Sequence, residues 1–177
     1  MFRWLKRDRH AVSTVMVALD GRQLGDAAAA LMASQARMVA AEGDFPVAQE
    51  EAVRAASLLL EHAEAWESAA LSGTVVEGEA AAGDEGAQVF SDLSVRYEDL
   101  PALAEPRRVL VALTVGYRGE VPDLETPVHD AEGLRRALAA LLALGHRGGA
   151  GLWHLHVVPL DDDPDALLAR FPELVDL

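Results

Sequence analysis

Residues 109–115 read Val-Leu-Val-Ala-Leu-Thr-Val, and this near-continuous apolar run constrains the fold more than any other segment. It is too short to cross a bilayer and too rich in β-branched side chains to favour a helix. A strand that is apolar at both even and odd positions must be covered on both faces, which makes it central in a sheet. The rest of the chain has to be arranged around it.

Residues 12–19 (VSTVMVAL) read as a first strand, closed by the turn signal Asp20-Gly21. From Gln23 the period becomes helical, with Leu24, Ala27, Ala28, Leu31, Gln35, Met38 and Val39 on one face and Gly43 as the stop. Asp44 caps a second helix that tolerates Pro46 in its first turn. Its stripe of Ala52, Ala56, Leu59, Ala63, Trp66 and Ala70 predicts the seam of an αα-hairpin. Glu50, Arg54, Glu61 and Glu64 form its solvated face.

A second strand is expected over 71–79, around Thr74-Val75-Val76. The acidic, Gly-containing stretch 78–86 (GEAAAGDEG) reads as a mobile surface linker. A short helix carrying Phe90, Leu93, Ser94 and Tyr97 follows, then a turn region between Pro101 and Pro106. After the central strand come a loop over 116–127 and a helix capped by Asp130, with Leu134, Leu138, Leu141 and Leu142 inside and Gly145 at its end. A turn over 146–151 leads to a fourth strand over 152–160. Asp163-Pro164 opens a last short helix that Phe171-Pro172 ends.

This order predicts a single α+β domain over residues 11–177. The expected architecture is a four-stranded, mostly antiparallel sheet with helices on one face, a ferredoxin-like β-αα-β-(α)-β-α-β arrangement with an extra C-terminal helix. Residues 1–10 read as a mobile basic segment, because Arg3, Lys6, Arg7 and Arg9 stand against Asp8 alone.

The whole chain carries −14, from 15 basic and 29 acidic residues, so residues 11–177 hold −17. That field argues against a nucleic-acid partner. With 51% hydrophobic residues and a mean hydropathy of +0.11 the chain is not a disordered acidic tail. Without cysteine it has no disulfide, thiolate nucleophile or Cys-ligated metal. No apolar run follows the basic start, so neither a signal peptide nor a membrane span is expected. The expected compartment is the cytoplasm, with weak, salt-sensitive contact to an anionic membrane surface through Arg3, Trp4, Lys6 and Arg7. Lys6 is the only lysine, a bias that with the Ala-rich helices fits a GC-rich bacterial source.

Four motifs invite chemistry. In Trp153-His154-Leu155-His156 the two imidazoles lie on one strand face, where they could hold Zn²⁺ or Cu²⁺ with Asp161, Asp162 or Asp163 as a third ligand. The aspartates fall past the strand end, so His154 and His156 are weak metal candidates and no cofactor is assigned. The acidic run Asp161-Asp162-Asp163-Pro164-Asp165 lacks the Gly and Glu that a Ca²⁺ loop needs, and reads as a helix N-terminus. The glycine-rich turn 145–151 follows a helix and precedes a strand, the reverse of a phosphate-binding loop. His62 and Trp66 at i, i+4 read as a packed aromatic pair. No Ser, Asp or Glu forms a nucleophile–base pattern with any of the six histidines.

The ordered series of segments resembles the family called domain of unknown function 1517. It is carried by Arg108-Val109-Leu110-Val111-Ala112-Leu113 through Pro122, by Ala131-Glu132-Gly133-Leu134-Arg135-Arg136-Ala137-Leu138, and by the last strand to Pro159. Leu167-Leu168-Ala169-Arg170-Phe171-Pro172-Glu173-Leu174 is similar to the family's terminal LL-x-x-[FY]-P-x-L. Leu60 to Trp66 is similar to its L-x-H-x-x-x-W, and Phe90-x-x-Leu93-Ser94 to the helix that follows. The chain departs from the pattern at Val157-Val158-Pro159, where Trp-Thr-Pro is expected, and at His154, where an acid is usual. The resemblance implies kinship with cyanobacterial and plastid proteins that often carry an upstream targeting or membrane segment and have no established enzymatic activity.

The expected function is therefore a non-enzymatic protein-interaction or regulatory module that assembles with itself or a protein partner, as a weak homodimer. The alternatives are a small-molecule or metal-binding domain using the His154/His156 face, and an enzyme with its groups on the 116–127 loop.

Overall fold

The computed structural model describes residues 8–97 and 106–177. Arg3, Trp4, Lys6, Arg7 and Pro101, and with them the expected membrane contact, lie outside the described residues. Five strands form the sheet: β1 (Arg9–Asp20), β2 (Trp66–Glu77), β3 (Arg108–Arg118), β4 (Ala150–Leu160) and β5 (Val175–Asp176). Their order across the sheet is β4-β3-β1-β2-β5, and every neighbouring pair is antiparallel. The helices are α1 (Gly21–Leu24), α2 (Asp26–Ala40), α3 (Phe45–Glu61), α4 (Glu79–Tyr97), α5 (Ala131–Arg147) and α6 (Pro164–Arg170).

The α+β class is as expected, and the detail differs in three ways. The sheet has five strands rather than four, because the C-terminus adds β5 to the edge of β2, at Ser68–Asp176 and Ala69–Val175. The connections also depart from a ferredoxin-like pattern, since the αα-hairpin (α2, α3) and α5 each return the chain to an adjacent antiparallel strand. Only α4 crosses between strands that run the same way, β2 and β3, which flank β1.

Third, helices cover both faces. On one face Val15, Val17, Leu19, Val111, Leu113, Val115, Trp153 and Leu155 join Leu31, Ala52, Leu59, Leu138 and Leu141 of α2, α3 and α5 in the larger core. On the other, Met16, Ala18, Leu110, Ala112, Val158 and Leu160 meet Leu93 of α4, Leu167 of α6 and Phe171. The period of two in β3 thus sends alternate side chains into two separate cores, which is why its run is apolar at both parities but for Thr114.

From Glu79 onward the acidic stretch 78–86 is the first half of α4 and not a linker. Gly86 is there for close approach, since a Cβ at that position would lie 2.0 Å from Leu152 Cδ2 on β4. α3 stops at Glu61, so Trp66 and Ala70 belong to β2 and not to a helical stripe. The reason is pairing length: β1 runs for 12 residues and β2 matches it with 12, from Arg9 opposite Glu77 to Leu19 opposite Trp66. Likewise Arg9 and His10 belong to β1 rather than to a separate N-terminal segment.

Candidate functional site

Among the described residues, three places bring together side chains that bear on the candidate chemistry. The first is the histidine pair. His154 and His156 project from β4 onto the face beneath α4, in register with Thr114 and Ala112 of β3. The Phe90 ring lies 4.7 Å from each imidazole centroid, tilted by 41° and 39°. Burial lowers both pKa values, that of His156 to about 4, with the neighbouring His154 adding to the effect. Both rings are therefore neutral at pH 7. One row further in, Thr14 and Thr114 hydrogen-bond through their hydroxyls at 2.8 Å.

The carboxylates considered as a third metal ligand are engaged elsewhere. Asp161 Oδ1 lies 3.2 Å from Arg107 Nε, Asp162 Oδ2 lies 3.2 Å from Arg170 Nε, and Asp163 Oδ1 accepts from Ala166 N at 2.8 Å to cap α6. Among the described residues no three His, Cys, Asp or Glu side chains are grouped to hold a metal ion.

The second place is a cleft of about 370 Å³ where β1, β3 and β4 end beside the start of α4. Asp8, His10, Glu79 and Arg118 stand around it, and Gly149 and Gly151 of the glycine-rich turn form one wall. Arg118 Nη2 pairs with Asp8 Oδ1 at 2.8 Å, and His10 Nε2 is 3.6 Å from Asp8 Oδ2. The turn itself does what its position implies, because Gly148 in the left-handed region (φ 66°) ends α5, which runs two residues past Gly145.

The third lies on the opposite face at the same end of the sheet. Arg9 reaches Glu125 with Nη2–Oε2 at 2.6 Å and Nη1–Oε1 at 3.2 Å. Glu125 Oε1 also accepts from Tyr117 Oη at 3.1 Å and Val121 N at 3.0 Å, while Ser13 Oγ is 3.2 Å from Tyr117 Oη. The Arg9 hydrogen bonds hold the Glu125 carboxyl below its usual range. Burial pushes the Tyr117 phenol up to about 12. An ionised carboxylate and a protonated phenol locked in this way buckle the 119–125 loop onto β1. They are ill suited to exchange protons near neutral pH. This is where the expectation of catalytic groups on the 116–127 loop leads.

His62 and Trp66 do not stack. His62 ends α3, with Nδ1 3.6 Å from Glu64 Oε1, while Trp66 Nε1 donates to Leu59 O at 2.9 Å. Sequence reasoning missed Glu125, Glu51 and the role of Phe90. Each acts through a partner far away in the chain, and local spacing carries no signal of it. Glu51, a buried carboxylate, receives both Arg37 Nε at 2.7 Å and Nη2 at 2.8 Å.

The two sheet edges are treated differently. Gln35 of α2 reaches over to accept the Val157 amide of β4. On the β2 side, β5 pairs only with Ser68 and Ala69, and residues 72–75 are exposed beyond it. Comparison with protein families, curated proteins and solved structures returned no match. Among the described residues no helix is long and apolar enough to cross a membrane.

Proposed function

We propose that this chain is a non-enzymatic protein-interaction module whose partner is a second copy of itself, joined β2 edge to β2 edge. The carrying observation is the stretch 72–75 past the end of β5, which no other strand of the described residues pairs on that side and where Val75 is 53% exposed. An edge of this kind is usually blunted by Lys, Pro, a bulge or a covering element. LSGTVVE contains neither Lys nor Pro, and the shift in register along β1–β2 falls at Ala18–Leu19, well away from it. β5 supports the reading, because it already adds a strand to this same edge.

A two-fold axis at Thr74 would set Gly73 against Val75, Ser72 against Val76 and Leu71 against Glu77, with no like charges opposed. The net charge of −14 on each copy opposes the approach, so the dimer is weak and strengthens as salt screens the repulsion. Kinship with the domain of unknown function 1517 family rests on the ordered residues quoted above and accords with a module without chemistry of its own.

Sedimentation at about 0.05 and 0.5 M salt tests the proposal. The expected result is a monomer–dimer equilibrium shifted toward dimer at high salt, and abolished in Val75→Lys, which places a charge on the edge without touching either core. A strict monomer at high protein concentration in both buffers would refute self-pairing.

A further inference from the structure

We propose that β5 sets the register, and through it the strength, of the β2-to-β2 pairing. Docked, it holds the two-fold axis at Thr74; undocked, it lets the axis move to Ser72 and the paired stretch lengthen. This inference rests on the self-pairing proposed above and names the element that governs it.

The direction of the peptide groups comes first. In β2 the even-numbered residues turn theirs toward β1, and Gly78 continues the series by donating its N–H to Asp8 O at 2.8 Å. The odd-numbered residues turn theirs to the open side, where Glu67 O accepts from Leu177 N at 3.1 Å and Ala69 faces Val175. Two copies joined along this side must set odd residues against odd ones, because only those present hydrogen-bonding groups to a neighbour. A two-fold axis therefore passes through a residue of β2 and not between two residues.

β5 and the strand of the second copy compete for one place. Both lie antiparallel to β2 on its open side, and β5 already stands opposite Ser68 and Ala69. An axis at Gly73 would set Glu77 of the copy against Ala69, and one at Ser72 would set it against Glu67. Each collides with β5. With the axis at Thr74, Glu77 of the copy stands against Leu71, and the next residue, Gly78, turns with φ 89° into α4 before the strand reaches Val175. Axes further along β2 also clear β5 but pair fewer residues. Thr74 is the register that β5 leaves.

The strap itself is slight. β5 is two residues long and both are exposed, with Leu174 before it in one core and Leu177 after it packed against the other. An element of this kind opens locally at less cost than the global transition. Once it is open, an axis at Ser72 pairs residues 67–77 in place of 71–77. That register opposes Glu67 to Glu77, a repulsion that Arg108, bonded to both Glu67 oxygens, offsets.

The chain has no cysteine, so single-cysteine variants report the register directly. Residues 72 and 74 are both exposed. Whichever of them lies on the axis meets its own copy as a non-hydrogen-bonded pair with Cα atoms about 4.5 Å apart, within disulfide reach. Moving the axis by two residues separates that pair by about 13 Å along the strands, which no disulfide spans. In glutathione-buffered exchange at about 0.5 M salt, Thr74→Cys is expected to form the disulfide dimer at least about tenfold more readily than Ser72→Cys. Val175→Pro/Leu177→Pro removes the N–H groups that β5 directs at β2. In that background the preference is expected to reverse, and the sedimentation Kd of the cysteine-free chain to fall at least about tenfold.

Equal cross-linking at the two positions, or a preference for Ser72→Cys with β5 intact, would overturn the proposal. So would a Thr74→Cys preference that the two prolines leave unmoved, a result under which self-pairing still stands. A monomer in every background, with neither cysteine cross-linking faster than Glu50→Cys on the exposed side of α3, would instead sink self-pairing and the register with it. The comparison with β5 intact needs no proline, so it decides even where the double variant fails to fold.

Discussion

Arg37 and Glu51 show how much one charged pair can do inside a hairpin of alanines. The two helices meet over side chains too small to fix their relative rotation, and a forked guanidinium on a buried carboxylate supplies the orientation. Arg37 holds the Glu51 carboxyl below its usual range. The contribution is thus present above the ordinary carboxylate pKa and lost as pH falls through the lowered native value. Arg37→Met is expected to lower the urea midpoint at pH 7, and the gap to the wild type is expected to narrow as pH falls below the ordinary carboxylate range, in denaturation curves taken across that series. The histidine pair carries a prediction of the opposite character. Stripped protein titrated with Zn²⁺ in a calorimeter should show no stoichiometric binding tighter than about micromolar, since the rings face Phe90 and the nearby aspartates serve arginines and a helix cap. A one-to-one site that disappears in His154→Ala/His156→Ala would contradict this.

Among the elements, β3 makes the most demanding claim. Leu110 and Leu113 are both 0% exposed yet belong to different cores. Leu110→Asp and Leu113→Asp should each cost more than about 4 kcal/mol in equilibrium unfolding, because neither face offers a carboxylate a partner or water. If one of them were mild, that face would not be closed. Between α3 and α5 the limit is backbone approach: a Cβ at Gly145 would stand 2.2 Å from Val53 Cγ2, and a helical valine has little rotamer freedom to yield. Gly145→Ala should cost about 1–2 kcal/mol net, the overpacking strain exceeding the gain in helix propensity. These elements also show what could be read in advance. The helix caps Asp44, Asp130 and Asp163 were legible because a cap is written within three residues of its helix. The C-terminal end of α3 and the course of 78–86 were not, because pairing along β1 and the fit of Gly86 against Leu152 decided them. Glycine signals flexibility and close approach with the same letter.

For the molecule as a whole, the continuous apolar run of β3 already implied helices on both faces, and the four-strand reading failed to follow that implication through. The missing strand, β5, is two residues long, below the length at which any period can be seen. The candidate sites divide in the same way: His154 and His156 were visible as a spacing, while Phe90, whose ring lies against both, joins them only through the α4 crossover. That topology also has a consequence for synthesis. β1 emerges first, is buried along most of its length in the finished fold, and requires β3 as its neighbour, with Met16 opposite Ala112. At ordinary translation speeds the ribosome takes about 5–20 s to supply the intervening ~100 residues. During that interval β1 can pair only with β2, leaving one flank of its backbone and much of its hydrocarbon open to any other nascent strand. The segment that organises the mature sheet is thus the one most in need of a chaperone while the chain is still being made.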